Sequence, residues 1–146
     1  MKKVKRLLLL AISATACPVM AQNSVEGTIS ADFVNQYSWR GQELGNVSLQ
    51  PTLGVACKGF SLTAWGSVGL TNSSDTKEFD LTAAYATGGF HIGVTDYWFN
   101  TPNSRYFAYG AHSTSHVFEA NVGYDFGVAS LNWYTKFGGT DAVTED

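Results

Sequence analysis

The sequence predicts an all-β fold, an antiparallel up-and-down transmembrane β-barrel of which about seven strands are present. Apolar and polar residues alternate with period two along several segments, and this period is typical of strands. Very short and longer polar connections follow each other in turn, as periplasmic turns and external loops do in such barrels. Charged residues make up only 14% of the chain, aromatic residues also 14%, and there are 15 glycines. This balance excludes a disordered chain and disfavours a helical bundle.

The first 21 residues have the pattern of a secretory signal peptide. Met1 to Arg6 contains four basic residues, Leu7 to Ala16 is apolar, and Val19-Met20-Ala21 fits a cleavage site. Ten apolar residues are too few for a membrane-spanning helix, which needs about 20. We therefore expect residues 1–21 to be removed after export. Cys17 follows a weak lipoprotein cleavage motif and leaves lipidation as an alternative.

The predicted mature chain, residues 22–146, is acidic. Cleavage removes four of the nine basic residues and none of the twelve acidic ones, which leaves five against twelve and a net charge of −7 with His neutral. Nucleic acid is excluded as a partner, because phosphate binding needs a basic surface. Cys57 is the one cysteine that remains, so we expect no internal disulfide.

Seven segments are predicted to be strands of about the length that crosses a bilayer when tilted. The clearest is Val25 to Arg40, where odd positions are apolar apart from Asn35 and even positions are polar apart from Val34. Because side chains alternate across a strand, this places an apolar and a polar surface on opposite sides. The other six are Val47 to Lys58, Phe60 to Leu70, Glu78 to Thr87, Phe90 to Asn100, His116 to Phe126 and Ser130 to Phe137.

The connections between these strands fall into two classes that alternate. The short ones are Lys58-Gly59, Gly88-Gly89 and Gly127-Val128-Ala129, and the longer polar ones are Gly41 to Asn46, Thr71 to Lys77 and Thr101 to Ser115. Aromatic residues at the strand ends predict two interfacial girdles. They are Tyr37, Trp39, Trp98 and Phe99 beside the longer loops, and Phe60, Phe90, Tyr124 and Phe126 beside the short turns. A secreted soluble β-sandwich remains the alternative fold.

Two residues do not fit this pattern. Asp96 falls on the predicted lipid face, where a charge is costly near the bilayer midplane. A β-bulge near Thr95 would turn it inward, and we expect one there. Pro51 lies within a predicted strand, which it tolerates only at an edge or a bulge.

The number of strands predicts that this is the N-terminal part of a longer barrel. Bacterial barrels have an even number of strands, and the segment after the seventh, Gly138 to Asp146, is predicted to be an external loop. We therefore expect a fragment whose remaining strands are missing.

The first strand and its exit, Ala31 to Gly41, resemble the opening of TorF-type porins, which often begin with a Tyr-x-aromatic-Arg-Gly stretch. Further similar features, in the same order, are Gly54, Ala64-Trp65-Gly66-Ser67, Glu78-Phe79-Asp80, Gly93-Val94-Thr95-Asp96-Tyr97 and Gly123-Tyr124-Asp125-Phe126-Gly127. The resemblance covers about Val25 to Gly138 and is closest to uncharacterised barrel proteins of Bacteroides-like bacteria. It implies an outer-membrane barrel and a pore, and it implies no catalytic residues.

The polar surface would line the lumen of the barrel. Its ionisable residues are Glu26, Asp32, Arg40, Lys58, Glu78, Asp80, His91, Glu119, Asp125 and Lys136. Such charges set the ion preference of a pore, and the excess of acids favours cations. The alternative is a solid barrel whose interior is filled by paired charges. The strand number would decide between pore and plug.

We predict a porin for small solutes or ions in the outer membrane, in contact with its lipid. The alternative is a non-conducting barrel, structural or adhesive, that acts through its external loops, notably Thr101 to Ser115. His112 and His116 lie four apart, but this spacing presents one face only on a helix. We therefore predict no metal site, no cofactor and no enzyme activity. The sequence makes no prediction of oligomeric state.

Overall fold

The computed structural model describes residues 25–110 and 114–139, which form strands and turns. Nine strands lie within these ranges: β1 (Glu26–Val34), β2 (Tyr37–Trp39), β3 (Gln42–Gly45), β4 (Ser48–Cys57), β5 (Phe60–Gly69), β6 (Glu78–Thr87), β7 (Phe90–Phe99), β8 (His116–Asp125) and β9 (Ser130–Gly139). In this part of the chain no helix has the length and apolar character needed to cross a membrane. The predicted signal peptide and residues 140–146 lie outside the described ranges.

Seven of the strands form one antiparallel sheet in the order β1-β4-β5-β6-β7-β8-β9. From β4 to β9 each strand pairs with the next along the chain, and β1 pairs directly with β4. The short strands β2 and β3 form a separate hairpin between them. The predicted all-β, antiparallel, seven-stranded arrangement is confirmed. Between the described residues of β1 and β9 no pairing closes the sheet.

The connections alternate between the two ends of the sheet. Residues 58–59, 88–89 and 126–129 make short turns at one end, called here the turn end. The β2–β3 hairpin, residues 70–77 and the described residues 100–110 and 114–115 lie at the other, the loop end. Lys58 and Gly59 both have positive φ, 51° and 85°, as type I′ hairpin turns require. A Cβ at position 59 would lie 2.5 Å from the carbonyl oxygen of Ala86, so only glycine fits.

The prediction of a single strand from Val25 to Arg40 is wrong beyond Val34. The chain bends at residues 35–36, and β2 leaves the sheet. The predicted loop Gly41 to Asn46 is also wrong, because Gln42–Gly45 pairs with β2 as β3. The physical reason that β2 leaves the sheet is a contact with a distant part of the chain. The Tyr37 hydroxyl donates a hydrogen bond to the buried carboxylate of Glu78 on β6.

The expectation of a bulge near Thr95 is wrong as well. The register of β7 runs without interruption from Phe90 to Trp98 against β8, and equally against β6. Asp96 therefore stays on the side that the alternation gives it. The one register shift in the main sheet falls between β8 and β9, at Phe118/Glu119.

Pro51 lies in the interior strand β4, opposite Ala31 of β1. The pairing of β4 with β5 omits Gln50 and Pro51 and resumes in the same register at Thr52. Proline has no N–H to donate, so the ladder has a gap there. The expectation of an edge or a bulge at Pro51 is wrong, because β4 is paired on both sides in an unshifted register.

The face of the sheet that bears the large apolar side chains is exposed and the polar face is buried, which is the reverse of the arrangement in a soluble protein. On one face, called here the apolar face, large side chains are exposed, for example Ile29 at 79%, Leu53 at 59% and Leu131 at 70%. On the other, the polar face, Ser48 is 1%, Glu119 3% and Glu78 6% exposed. Among the described residues only Tyr37, Phe99 and Val117 are buried hydrophobic residues. The buried interior is therefore mainly polar.

Candidate functional site: the polar face and its hairpin

The candidate site is built from the polar face of β5 to β9 near the loop end. The register places Asp80 of β6 opposite Trp65 of β5 and Tyr97 of β7. It places Glu119 of β8 opposite Thr95 on one side and Lys136 on the other. Directly paired residues share a face of the sheet. Carboxylates that are distant in sequence therefore meet on one surface.

The β2–β3 hairpin folds across this surface. The Tyr37 hydroxyl donates a 2.6 Å hydrogen bond to Oε2 of Glu78, and the Tyr37 ring lies 5.7 Å from that of Trp65. The Trp39 ring lies 5.9 Å from the Tyr97 ring on β7. Burial raises the pKa of the Tyr37 phenol, and the bond to Glu78 raises it further, so the phenol stays a neutral donor.

Arg40, in the turn of the hairpin, reaches the far side of the polar face. Its two terminal nitrogens donate to the two carboxylate oxygens of Glu119 at 2.7 and 2.8 Å. This two-pronged geometry is the strongest that arginine and a carboxylate form. The guanidinium also lies 4.3 Å from the Trp39 ring centre and 5.2 Å from that of Tyr134 on β9. The bond to Glu119 raises the pKa of Arg40. The hairpin therefore spans the polar face from β5 to β9.

Little space remains beneath the hairpin at this level. Tyr97 adds a third hydrogen bond to Glu119, from its hydroxyl at 3.2 Å. The gap lined by Trp39, Tyr97 and Glu119 has a volume of about 10 Å³. A single water molecule needs at least about that much room. In this conformation the hairpin fills the polar face at the level of β7 and β8.

A second group of buried polar residues lies on β4 to β6. Nε2 of Gln50 donates to Oγ of Ser67 at 3.3 Å. Glu78 and Asp80 occupy alternate positions of β6 and are 6% and 9% exposed. Oδ1 of Asp80 is buried and has no hydrogen-bond partner among the described residues. The polar face therefore concentrates carboxyl groups here, while Arg40 is engaged with Glu119.

The structure places the ten predicted lumen residues in three settings. Glu78, Asp80 and Glu119 are buried on the polar face, and Arg40 reaches Glu119 from the hairpin turn. Four more lie on the polar face of their strands, namely Glu26, Asp32, His91 and Lys136. Nε2 of His91 contacts Oδ1 of Asn132 at 2.7 Å. The remaining two lie at the turn end, Lys58 within a turn and Asp125 exposed beside one.

Sequence reasoning did not identify Tyr37 and Trp39 as the two aromatic residues that anchor the hairpin. The alternation assigned Tyr37 and Trp39 to an interfacial girdle on the lipid side, but both contact residues of the polar face. Arg40 and Gly41 have positive φ, 48° and 84°. A polar residue followed by glycine is the signal of a two-residue hairpin turn, and here it could have revealed the reversal.

Asp96 lies on the apolar face, as the alternation predicted, and its charge has a partner there. Its Oδ1 lies 2.6 Å from Nδ1 of His116 on β8, whose side chain is completely buried. Residues 100–110, which follow β7, fold over this pair, and the Tyr106 carbonyl oxygen lies 2.5 Å from Nε2 of His116. His112 falls outside the described residues.

In the described ranges there is no group of three or more His, Cys, Asp or Glu residues that could hold a metal ion. Cys57 is half-buried and free. Comparison of the chain with known protein families, with curated proteins and with solved structures found no match. The resemblance to TorF-type porins therefore stays a prediction.

Proposed function

We propose that this chain is the wall of an outer-membrane β-barrel. Its apolar face would contact lipid, and its polar face would line a route for small solutes or ions. The observation that carries this proposal is the reversed polarity of the two faces. In a soluble β-sandwich the apolar faces of the sheets are buried against each other. Here the apolar side chains point outward across the whole sheet.

The dimensions of the sheet support the same proposal. Strands β4 to β9 have ten residues each. At about 3.3 Å per residue such a strand is roughly 33 Å long. A tilt of about 45° reduces its span to roughly 23 Å, close to the apolar band of about 25 Å in outer-membrane barrels. The alternation of short turns and long loops agrees with a barrel whose long loops face outward.

Substitution of Leu53, in the middle of β4 on the apolar face, tests the location. We expect Leu53→Arg to destabilise the chain folded in lipid vesicles by about 2–4 kcal/mol, since a charge would enter the hydrocarbon. Leu53→Phe, the matched control, should change the free energy of unfolding little. Urea titration in phospholipid vesicles measures both. If Leu53→Arg is as stable as the control, or if the chain stays soluble and folded without detergent or lipid, the proposal is wrong.

A second candidate function, a non-conducting barrel that acts through its external loops, is favoured by the filled polar face. The hairpin leaves little room near β7 and β8, and Arg40 is bound to Glu119 by two hydrogen bonds. Under the first proposal the hairpin is instead a constriction that narrows an ion route.

Planar bilayers separate the two candidates. For a pore we expect stepwise conductance with preference for cations, since the carboxylates outnumber the bases on the polar face. Replacing residues 36–46 by a short Gly-Asn turn should then increase the conductance several-fold. A correctly inserted chain that is silent with and without the hairpin would exclude the pore and leave the loop-acting barrel.

A further inference from the structure

The first part of the β7–β8 loop, residues 100–110, does not extend away from the sheet but returns onto the apolar face. The Tyr106 ring packs edge-on against Phe79 and Trp98, with ring centres 5.5 Å apart in both cases. The Tyr109 ring stacks on the His116 ring at 4.3 Å. Phe107 points away from the sheet and is 86% exposed. Within its described residues the loop thus covers part of the outer surface.

The His116 ring is the centre of this packing. Nδ1 is 2.6 Å from Oδ1 of Asp96, and Nε2 is 2.5 Å from the carbonyl oxygen of Tyr106. A carbonyl oxygen only accepts hydrogen bonds, and so does an ionised carboxylate. Both contacts therefore require hydrogens, and the His–Asp pair has to hold one proton more than a neutral imidazole beside a carboxylate. The pair is then electrically neutral as a whole.

Few other ionisable groups lie close enough to the His116 ring to supply this proton. The ionisable groups packed around the ring in the described structure are Asp96 from β7 and Tyr106 and Tyr109 from the loop. Its other close neighbours are the rings of Trp98 and Phe118. Burial, with neighbouring Tyr109, raises the pKa of Tyr106 to about 12. The Tyr106 phenol therefore stays neutral in the range where imidazoles titrate.

We propose that Asp96 and His116 form a proton-held latch, which keeps the β7–β8 loop on the apolar face and releases it when the pair loses one proton. After that loss the ring has a single N–H, and its free lone pair faces either the carboxylate or the Tyr106 carbonyl at about 2.5 Å. One hydrogen bond is lost, a repulsive contact replaces it, and a net negative charge remains on the apolar face. Each of these changes favours release of the loop as the pH rises.

Two variants separate a latch from a purely structural contact. In Asp96→Asn the amide can donate to Nδ1 while a neutral ring donates Nε2–H to Tyr106. The loop of this variant should stay docked at every pH. In His116→Phe the loop loses its hydrogen bond and the carboxylate loses its partner, so the loop should be mobile at every pH.

The experiment uses a nitroxide at position 105, where Arg105 is exposed in the loop. The label is attached to Arg105→Cys in the full chain, with Cys17 and Cys57 replaced by serine, and electron paramagnetic resonance spectra are recorded against pH. In the otherwise wild-type chain we expect a slow-motion component at low pH that is lost as the pH rises. In Asp96→Asn this component should persist. A wild-type spectrum that does not change with pH, or an Asp96→Asn profile like that of wild type, would overturn the latch.

The latch rests on the proposed function only in that the chain is studied in a membrane-like medium. The spectra are therefore recorded in detergent micelles as well as in phospholipid vesicles. A chain that folds in micelles but does not enter vesicles would refute the proposed function and still report on the latch. A chain that enters vesicles with a pH-independent loop would refute the latch alone.

Discussion

The hairpin and the β7–β8 loop both leave the loop end of the sheet, yet they fold onto opposite faces. The hairpin places the Tyr37 hydroxyl and the Arg40 guanidinium against the polar face. The loop places the Tyr106 and Tyr109 rings against the apolar face. Each segment thus covers the face that matches its own side chains.

Each segment also depends on an acid of the sheet that is paired with a base, and the two bases differ. Glu119 is bound by arginine, which keeps its charge at all accessible pH values. Asp96 is bound by His116, and in the proposed latch this contact depends on one additional proton. The inner contact should therefore be insensitive to pH in the range where the outer contact changes.

The largest effect is expected for the inner ion pair. Arg40→Ala leaves the Glu119 carboxylate, which is 4% exposed, without its cation, and we expect a loss of about 2 kcal/mol in the free energy of unfolding. Full burial of both partners would cost more, but 43% of the Arg40 side chain is exposed. Glu119→Gln should cost less, because the freed guanidinium can turn to solvent. Urea unfolding in vesicles measures both, and equal losses would contradict the asymmetry.

A smaller effect is expected for the first anchor of the hairpin. Tyr37→Phe removes the donor to Glu78 and keeps the contact with Trp65. A buried acceptor then loses its partner, and we expect about 1 kcal/mol of destabilisation. Tyr85→Phe, which alters a ring paired with Phe60 at the turn end, is the control and should change the stability less. If Tyr37→Phe matches this control, the hairpin does not depend on the Glu78 bond.

The smallest effects are expected in the outer loop, where two neighbouring aromatic residues differ in contact. Tyr109 stacks on His116, whereas Phe107 is 86% exposed. In detergent, Tyr109→Ser should destabilise the docked loop by about 1 kcal/mol, and Phe107→Ser should remain within about 0.5 kcal/mol of wild type. The mobility of the label at position 105 reports both. A larger effect of Phe107→Ser would mean that the loop docks through a different surface.

The regular strands could be predicted because their cause is local. Where a strand has one polar and one apolar face, period two appears directly in the order of residues. Glycine pairs such as Gly88-Gly89 mark the tight turns, since both residues need positive φ there. The bounds of β4 to β9 accordingly lie close to those expected from the alternation.

The candidate site was less accessible to sequence reasoning, because its contacts join distant residues. Arg40 and Glu119 are 79 positions apart, and Tyr37 and Glu78 are 41 apart. The sequence indicated which charges face the polar side but not which of them pair. For Asp96 the sequence predicted a local β-bulge, whereas the structure pairs its carboxylate with His116 on the next strand.

The sequence by itself determined the strand order, the two faces and the ends at which the chain turns, because alternation and turn residues act over a few positions. Only the tertiary structure decided that β2 leaves the sheet, that the hairpin fills the polar face and that the β7–β8 loop covers the apolar one. Those choices involve charged side chains such as Glu119, which is buried, and Asp96, which is half-buried beside the buried His116. A buried charge is stable only beside a partner, and folding alone brings these partners together.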